Sequence, residues 1–160
     1  MASSFNEALE SGSAASDRAE KMALYAFLVG RWEMDGIVYR EGGAKYEARG
    51  EIHAAWALEG RAIQDVWIFP GVFYGTTLRV FDPGIDAWHI LWSDPLKQYY
   101  TRQIGRARGA DIVQEGTGDQ GVPLRWRFTE IKPASFHWLG ERSAGDGAWT
   151  LEAEFFARRA

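Results

Sequence analysis

The residues best placed by type to do chemistry from inside a folded core are Asp65, Arg79, His89, Arg102 and the pair Tyr99–Tyr100. Arg79 sits between Leu78 and Val80 in an apolar alternation. An arginine buried there needs a carboxylate or a ligand anion, because an unpaired internal charge is strongly unfavourable. Asp65 alternates with Ile63 and Trp67, while Gln64 alternates with Ala62 and Val66, so one of the two faces inward. The same parity puts Tyr99 or Tyr100 inside, with Arg102 in the phase of Tyr100. Two readings follow. An internal Arg–Asp pair is structural, or the polar cluster orients a ligand in an aromatic pocket.

His89 lies in DAWHILW, where Trp88, Ile90 and Trp92 share one face and His89 and Leu91 the other. If the tryptophans line a cavity, His89 points out. If a helix or a partner covers them, it points in and can titrate near neutral pH. His53 and His137 share their faces with charged residues and are expected on the surface. No metal site is expected from three scattered histidines. GxSxG is absent, Ser93-Asp94-Pro95 has the chemistry of a turn, and GTGDQG lacks the lysine and helix of a phosphate loop. Glu152 and Glu154 alternate with Leu151, Ala153 and Phe155 and are expected to look outward.

The elements that must position these residues are strands. In KYEARGEIHAAW, the even positions from Tyr46 to Trp56 are apolar or small and the odd positions polar, a period of two over a dozen residues. Comparable runs cover 31–40, 61–69, 73–81, 87–92, 98–104, 111–115, 124–131, 135–141 and 148–157, separated by EGG, LEG, FPG, DPGID, GRARG, GTGDQG, KPA and SAGDG. Roughly ten antiparallel strands at hairpin spacing make an all-β sandwich or closed meander. One short helix is predicted over 17–28, with Asp17 as N-cap, Glu20 reaching back and Gly30 as the stop. The expected organisation is a flexible lead-in over 1–16 and a single domain over 17–160.

The 160 residues suit one domain, and 46% hydrophobic with 25% charged residues gives a globular chain. A net charge of −4 argues against nucleic acid. Cysteine is absent, which excludes thiolate chemistry and permits a reducing cytoplasm, the expected location. No apolar run approaches the ~20 residues of a membrane span, and MASSFNEALESGSAASD lacks the pattern of a secretory signal. Eight Trp, six Tyr and nine Phe suit strands and cavity walls alike.

LYAFLVGRWEMDG, YEARGEIHAAWALEGRAIQ, GTTLRVFDPGIDAW and SFHWLGERSAGDGAWTLEAEFFARR together resemble a bacterial family of uncharacterised proteins with a lipocalin-like, calycin-type barrel. The likeness runs from about Lys21 to Arg159. It implies that the Gly-x-Trp residue, Trp32, plugs the barrel base, and that an arginine after the last strand, Arg158 or Arg159, lies across its ring, with Arg158 taken as the plug partner. A fainter likeness reaches the haem-binding nitrobindin-type barrels. Their glycine-rich segment is reduced here to Gly30-Arg31-Trp32 and Gly36, and no histidine is assignable as an axial ligand. No cofactor is expected, with haem as the outside alternative.

The expected function is binding of a small, mostly apolar or aromatic molecule inside the barrel by Tyr46, Gln64, Trp88, Trp92, Tyr99, Trp126, Phe128 and Trp138. The alternative is a cofactor-independent isomerase, cyclase, lyase or dehydratase using His89, Asp65, Arg79 or Arg102. Runs 61–69 and 87–92 are apolar on both faces, which predicts a covered outer face and a homodimer.

Overall fold

The computed structural model describes residues 4–160. Helix α1 (Phe5–Leu9) is capped by Ser4 and leads into a two-residue strand, β1 (Glu10–Ser11). Of the segment read as a lead-in, residues 1–3 lie outside the described residues, and the rest is tied to the barrel. Glu10 and Ser11 pair with Ala57 and Trp56, and the Ala15 N–H donates to the Gly60 carbonyl at 2.9 Å.

Ten long strands follow: β2 (Gly30–Tyr39), β3 (Lys45–Ala57), β4 (Ala62–Phe69), β5 (Phe73–Asp82), β6 (Ala87–Asp94), β7 (Tyr99–Arg108), β8 (Asp111–Thr117), β9 (Pro123–Lys132), β10 (Ser135–Ser143) and β11 (Trp149–Arg159). Each pairs antiparallel with the next, and β11 pairs with β2, so the meander closes into a ten-stranded barrel. Closure leaves these strands no free edge. Each run expected from period-two alternation matches one of these strands, with Arg40, Arg61, Gln98 and Ala148 falling just outside the strand ends. In-pointing residues such as Trp32, Met34, Ile52, Ile63, Ile90, Phe128 and Phe136 are buried, and alternate positions are half-buried or exposed.

The segment before β2 differs from the single helix expected over 17–28. It is a 3₁₀ turn (Ser16–Arg18), one turn of α-helix, α2 (Ala19–Met22), and a second 3₁₀ stretch (Ala23–Leu28). Asp17 caps nothing; its carboxylate meets Arg18 and Arg61. The reason lies in what the segment buries. Met22, Tyr25 and Leu28 are all fully buried and spaced by three, and a 3₁₀ helix stacks residues i and i+3 on one line. That line enters one end of the barrel.

Trp32 closes this end. Its indole N–H donates to the Leu28 carbonyl at 2.9 Å, and Phe136 meets it edge-on at 4.7 Å. The arginine across the ring is Arg159, with its guanidinium 4.1 Å from the ring centre. Arg159 also donates to the carbonyls of Phe27, Val29 and Pro133 at 2.8–3.0 Å, which ties the plug segment to the last strand. Arg158, the expected partner, points the other way and pairs with Asp35 on the outer face. Successive strand residues face opposite ways, so only one of the two arginines can reach Trp32. Gly30 begins β2 rather than stopping a helix. Its φ is +124°, and a Cβ there would lie 2.7 Å from Arg159 Nη1.

Candidate functional site

The interior has three levels. At the plugged end, Trp88 packs edge-on to Tyr25 at 4.8 Å, and Phe128 packs against Tyr25, Phe27 and Phe136. This level is solid.

The middle level is polar. Arg79 on β5, 1% exposed, gives Nη1 to the carboxylate of Asp65 on β4, which is fully buried. The other Asp65 oxygen accepts the Thr77 backbone N–H at 3.1 Å. The guanidinium lies 5.3 Å from the Tyr25 ring centre, over its face, and 5.6 Å from that of Phe128. Tyr25 donates its hydroxyl to Gln114 Oε1 at 2.7 Å, and burial pushes its phenol far above the ordinary range. Gly105 makes room for that hydroxyl, since a Cβ there would sit 2.5 Å from it. Several buried atoms at this depth lack protein partners: Arg79 Nε, both amide atoms of Gln103, and Gln114 Nε2. Such atoms are costly to leave unpaired.

Above the polar level lies a cavity of about 220 Å³. Its wall is aromatic, with Trp67, Phe73, Trp92, Trp126, Trp138 and Phe155, and its polar lining includes Thr77, Arg79, Asp94, Lys97, Tyr99 and Glu152. The indoles meet mostly edge to face, at 5.6 Å for Trp67 with Trp138 and 6.3 Å for Trp92 with Trp126. Two glycines keep the space open. A Cβ on Gly75 would lie 2.5 Å from the Trp92 ring, and one on Gly140 would lie 2.6 Å from the Trp138 ring. Each indole is folded back over bare backbone instead of projecting into the lumen.

Of the expected ligand-wall residues, Trp92, Tyr99, Trp126 and Trp138 line the cavity. Trp88 and Phe128 do not, because the plug segment packs against them. Tyr46 is half-buried under the Arg40 guanidinium at 4.9 Å and does not reach the cavity. Gln64 is on the outer phase, hydrogen-bonded to Thr76 Oγ1 at 3.0 Å, since Ile63, Asp65 and Trp67 hold the inner one.

Of the residues proposed for acid–base work, Asp65 and Arg79 are inside and paired. His89 and Arg102 are outside. His89 Nε2 is 2.8 Å from Asp82 Oδ2 and its Nδ1 is 3.4 Å from Arg102 Nη2, so the tryptophans take the lumen and the histidine takes the surface. His53 meets Glu51, and His137 meets Glu154 while stacking on Phe156. None of the three histidines borders the cavity, so the lining does not fit a haem held through histidine.

Glu152 is the residue the alternation misplaces. Gly140 pairs with Ala153, but the next pair is Glu141 with Leu151, so Glu152 is an extra residue in β11. The bulge turns Glu152 to the cavity alongside Ala153, and moves Trp149 under Arg125 at 4.4 Å. Burial raises the Glu152 carboxyl, against the lowering effect of Arg142 at 3.2 Å. Burial also lifts the Tyr99 phenol to about 12, helped by Glu152 and Asp119. The one sequence feature at the bulge is Gly140, a glycine inside a strand, where the register shifts. Asp94 shares the rim, with Oδ1 accepting from the backbone N–H groups of Leu96 and Lys97.

No protein-family model matches this chain. No curated protein matches it by sequence either. Solved structures do match by shape. The crystal structure of Rv2717c from M. tuberculosis aligns over 92% of this chain and 99% of its own, with a TM-score of 0.61 and 14% identity. The S-type phycobiliprotein lyase CPES from Guillardia theta aligns over 86% of this chain and 91% of its own, with a TM-score of 0.62 and 14% identity. The shared fold is a closed antiparallel β-barrel, as the lipocalin-like expectation required. At this identity the likeness carries the architecture alone, and the site must be argued from its own residues.

Proposed function

We propose that the barrel binds a small, mostly apolar, planar molecule in the cavity between the polar level and the open end. The observation that carries this reading is the cavity itself. About 220 Å³ is kept clear by glycine-seated indoles and floored by a buried arginine, where a barrel with no occupant would be filled by side chains. A cavity of roughly 150 Å³ suffices for benzene, so the space suits one or two fused rings. That one structure sharing the barrel is a phycobiliprotein lyase accords with a fold that takes up a small molecule or acts on one.

Native mass spectrometry of protein purified from its own host is the test. An extra mass of one- or two-ring size, lost on denaturation, supports the reading. A clean apo mass, together with no saturable tryptophan quenching by any bicyclic aromatic, refutes it. The inward turn of Glu152 favours a second reading, turnover of the bound molecule with Glu152 as the proton-transferring group. Under that reading Glu152→Gln abolishes turnover and leaves binding intact.

The outer faces of β5 and β6 carry half-buried Leu78 and exposed Tyr74 and Leu91, with Tyr100 beside them on β7. The proposed partner for this surface is a second copy of the chain, and a monomer in sedimentation at micromolar concentration refutes it. Among the described residues no helix is long and apolar enough to cross a membrane.

A further inference from the structure

We propose, resting on the binding reading above, that the occupant is uncharged and enters oxygen first, with a carbonyl-type oxygen accepting an N–H from Arg79. Arg79 both lines the cavity and is 1% exposed. It offers five N–H donors and no acceptor, so what it recognises must accept. Its Nη1 is committed to Asp65, and its Nε has no partner. Trp67, a neighbouring wall residue, likewise has an indole N–H without a partner. Both residues line the cavity, so two N–H donors without protein partners lie at or directly behind its wall.

The charge balance decides between a neutral oxygen and an anion. Asp65 already neutralises Arg79, and it is fixed in place by the Thr77 N–H. The remaining charged groups of the lining are Asp94, Glu152 and Lys97, two carboxylates against one amine, with Glu152 also held by Arg142. With Arg142 counted, the two carboxylates of this set are balanced by two cations, so a ligand carboxylate seated against Arg79 would be the one anion without a counterion at the buried end of the cavity. A ketone, amide or lactone oxygen takes the same donors without that penalty. The rim carboxylates can in turn accept an N–H or O–H from the ligand's outer end, which fixes a head-to-tail orientation.

Three probes of one shape test this: 2-acetylnaphthalene, the hydrocarbon 2-isopropenylnaphthalene, and the anion 2-naphthoate, titrated by tryptophan quenching. In the wild type the ketone is expected to bind more tightly than the carboxylate. In Asp65→Leu/Arg79→Met, which removes both charges together, the ketone is expected to lose about tenfold in affinity relative to the hydrocarbon. Equal losses for ketone and hydrocarbon, or a tighter carboxylate, overturn the inference while leaving the binding reading intact. Failure of all three to bind overturns both. A second measurement uses the wild type alone. The carbonyl stretch of bound 2-acetylnaphthalene should fall below its value in hexane, and an unshifted band overturns the proposal even if the double variant does not fold.

Discussion

Replacing Arg79 by methionine isolates the energetics of the polar level. The substitution keeps most of the side-chain volume but leaves Asp65, which is fully buried, with one backbone N–H as its remaining partner. Breaking a buried pair from one side costs about 3–5 kcal/mol, because the surviving charge has neither water nor counterion. In a domain of this size each kcal/mol moves the melting temperature by about 2–4 °C, so Arg79→Met should melt roughly 6–20 °C below the wild type. Asp65→Leu/Arg79→Met removes the charge with its partner and should recover most of that loss, since apolar replacements of a buried pair are often neutral. The assay is thermal and urea unfolding of all three proteins by circular dichroism, with tryptophan fluorescence as a second probe of two-state behaviour. If Arg79→Met lies within about 1 kcal/mol of the wild type, or if the double variant is as unstable as the single, the pair is not a closed unit and the argument fails.

Arg159→Ala should destabilise the protein by about 2 kcal/mol, through three carbonyl contacts and the ring contact to Trp32, while Arg158→Ala, on the exposed outer face, should leave stability close to that of the wild type. Equal effects in chemical denaturation would reject Arg159 as the tie. The two glutamates of the β10–β11 hairpin should respond to pH with opposite signs. Burial holds the Glu152 carboxyl above its usual range, so its favourable contribution exists in acid and is lost as pH rises through the raised value. Glu152→Gln is therefore expected to be stabilising at neutral pH and neutral below the ordinary glutamate range. Burial also pushes the Glu141 carboxyl up, but hydrogen bonds from Arg125 and Arg127 outweigh it and hold the group low. Glu141→Gln should accordingly be destabilising at neutral pH, with the deficit fading in acid; melting curves from neutral to acid pH check both signs. Finally, Gly140→Ala should drive the Trp138 indole off the backbone and into the lumen, reducing 2-acetylnaphthalene affinity by about tenfold or more. Unchanged affinity would show that the indole has somewhere else to go.

The ten strands were legible because a strand with one wet face writes its period directly into the chain, as Tyr46 to Trp56 do. The turn sequences between the runs marked the hairpins for the same local reason. The Gly-x-Trp start was legible as a plug by resemblance, and an Arg79–carboxylate pair as one reading by the physical demand that a buried charge find a partner, while parity left Gln64 and Asp65 open as the inward residue. What the chain alone could not supply was depth and exception. Trp88 and Trp92 share one strand and one phase, yet the Met22–Tyr25–Leu28 line packs over the first and leaves the second facing the cavity. Glu152 alternates outward by count, yet one bulged residue reverses it. Arg158 and Arg159 are equivalent as neighbours in sequence, and only the pleat at the end of β11 selects Arg159. Period and polarity are properties of a strand in isolation. Depth along a closed barrel, and which side a bulge presents, depend on the strands and plug that surround it.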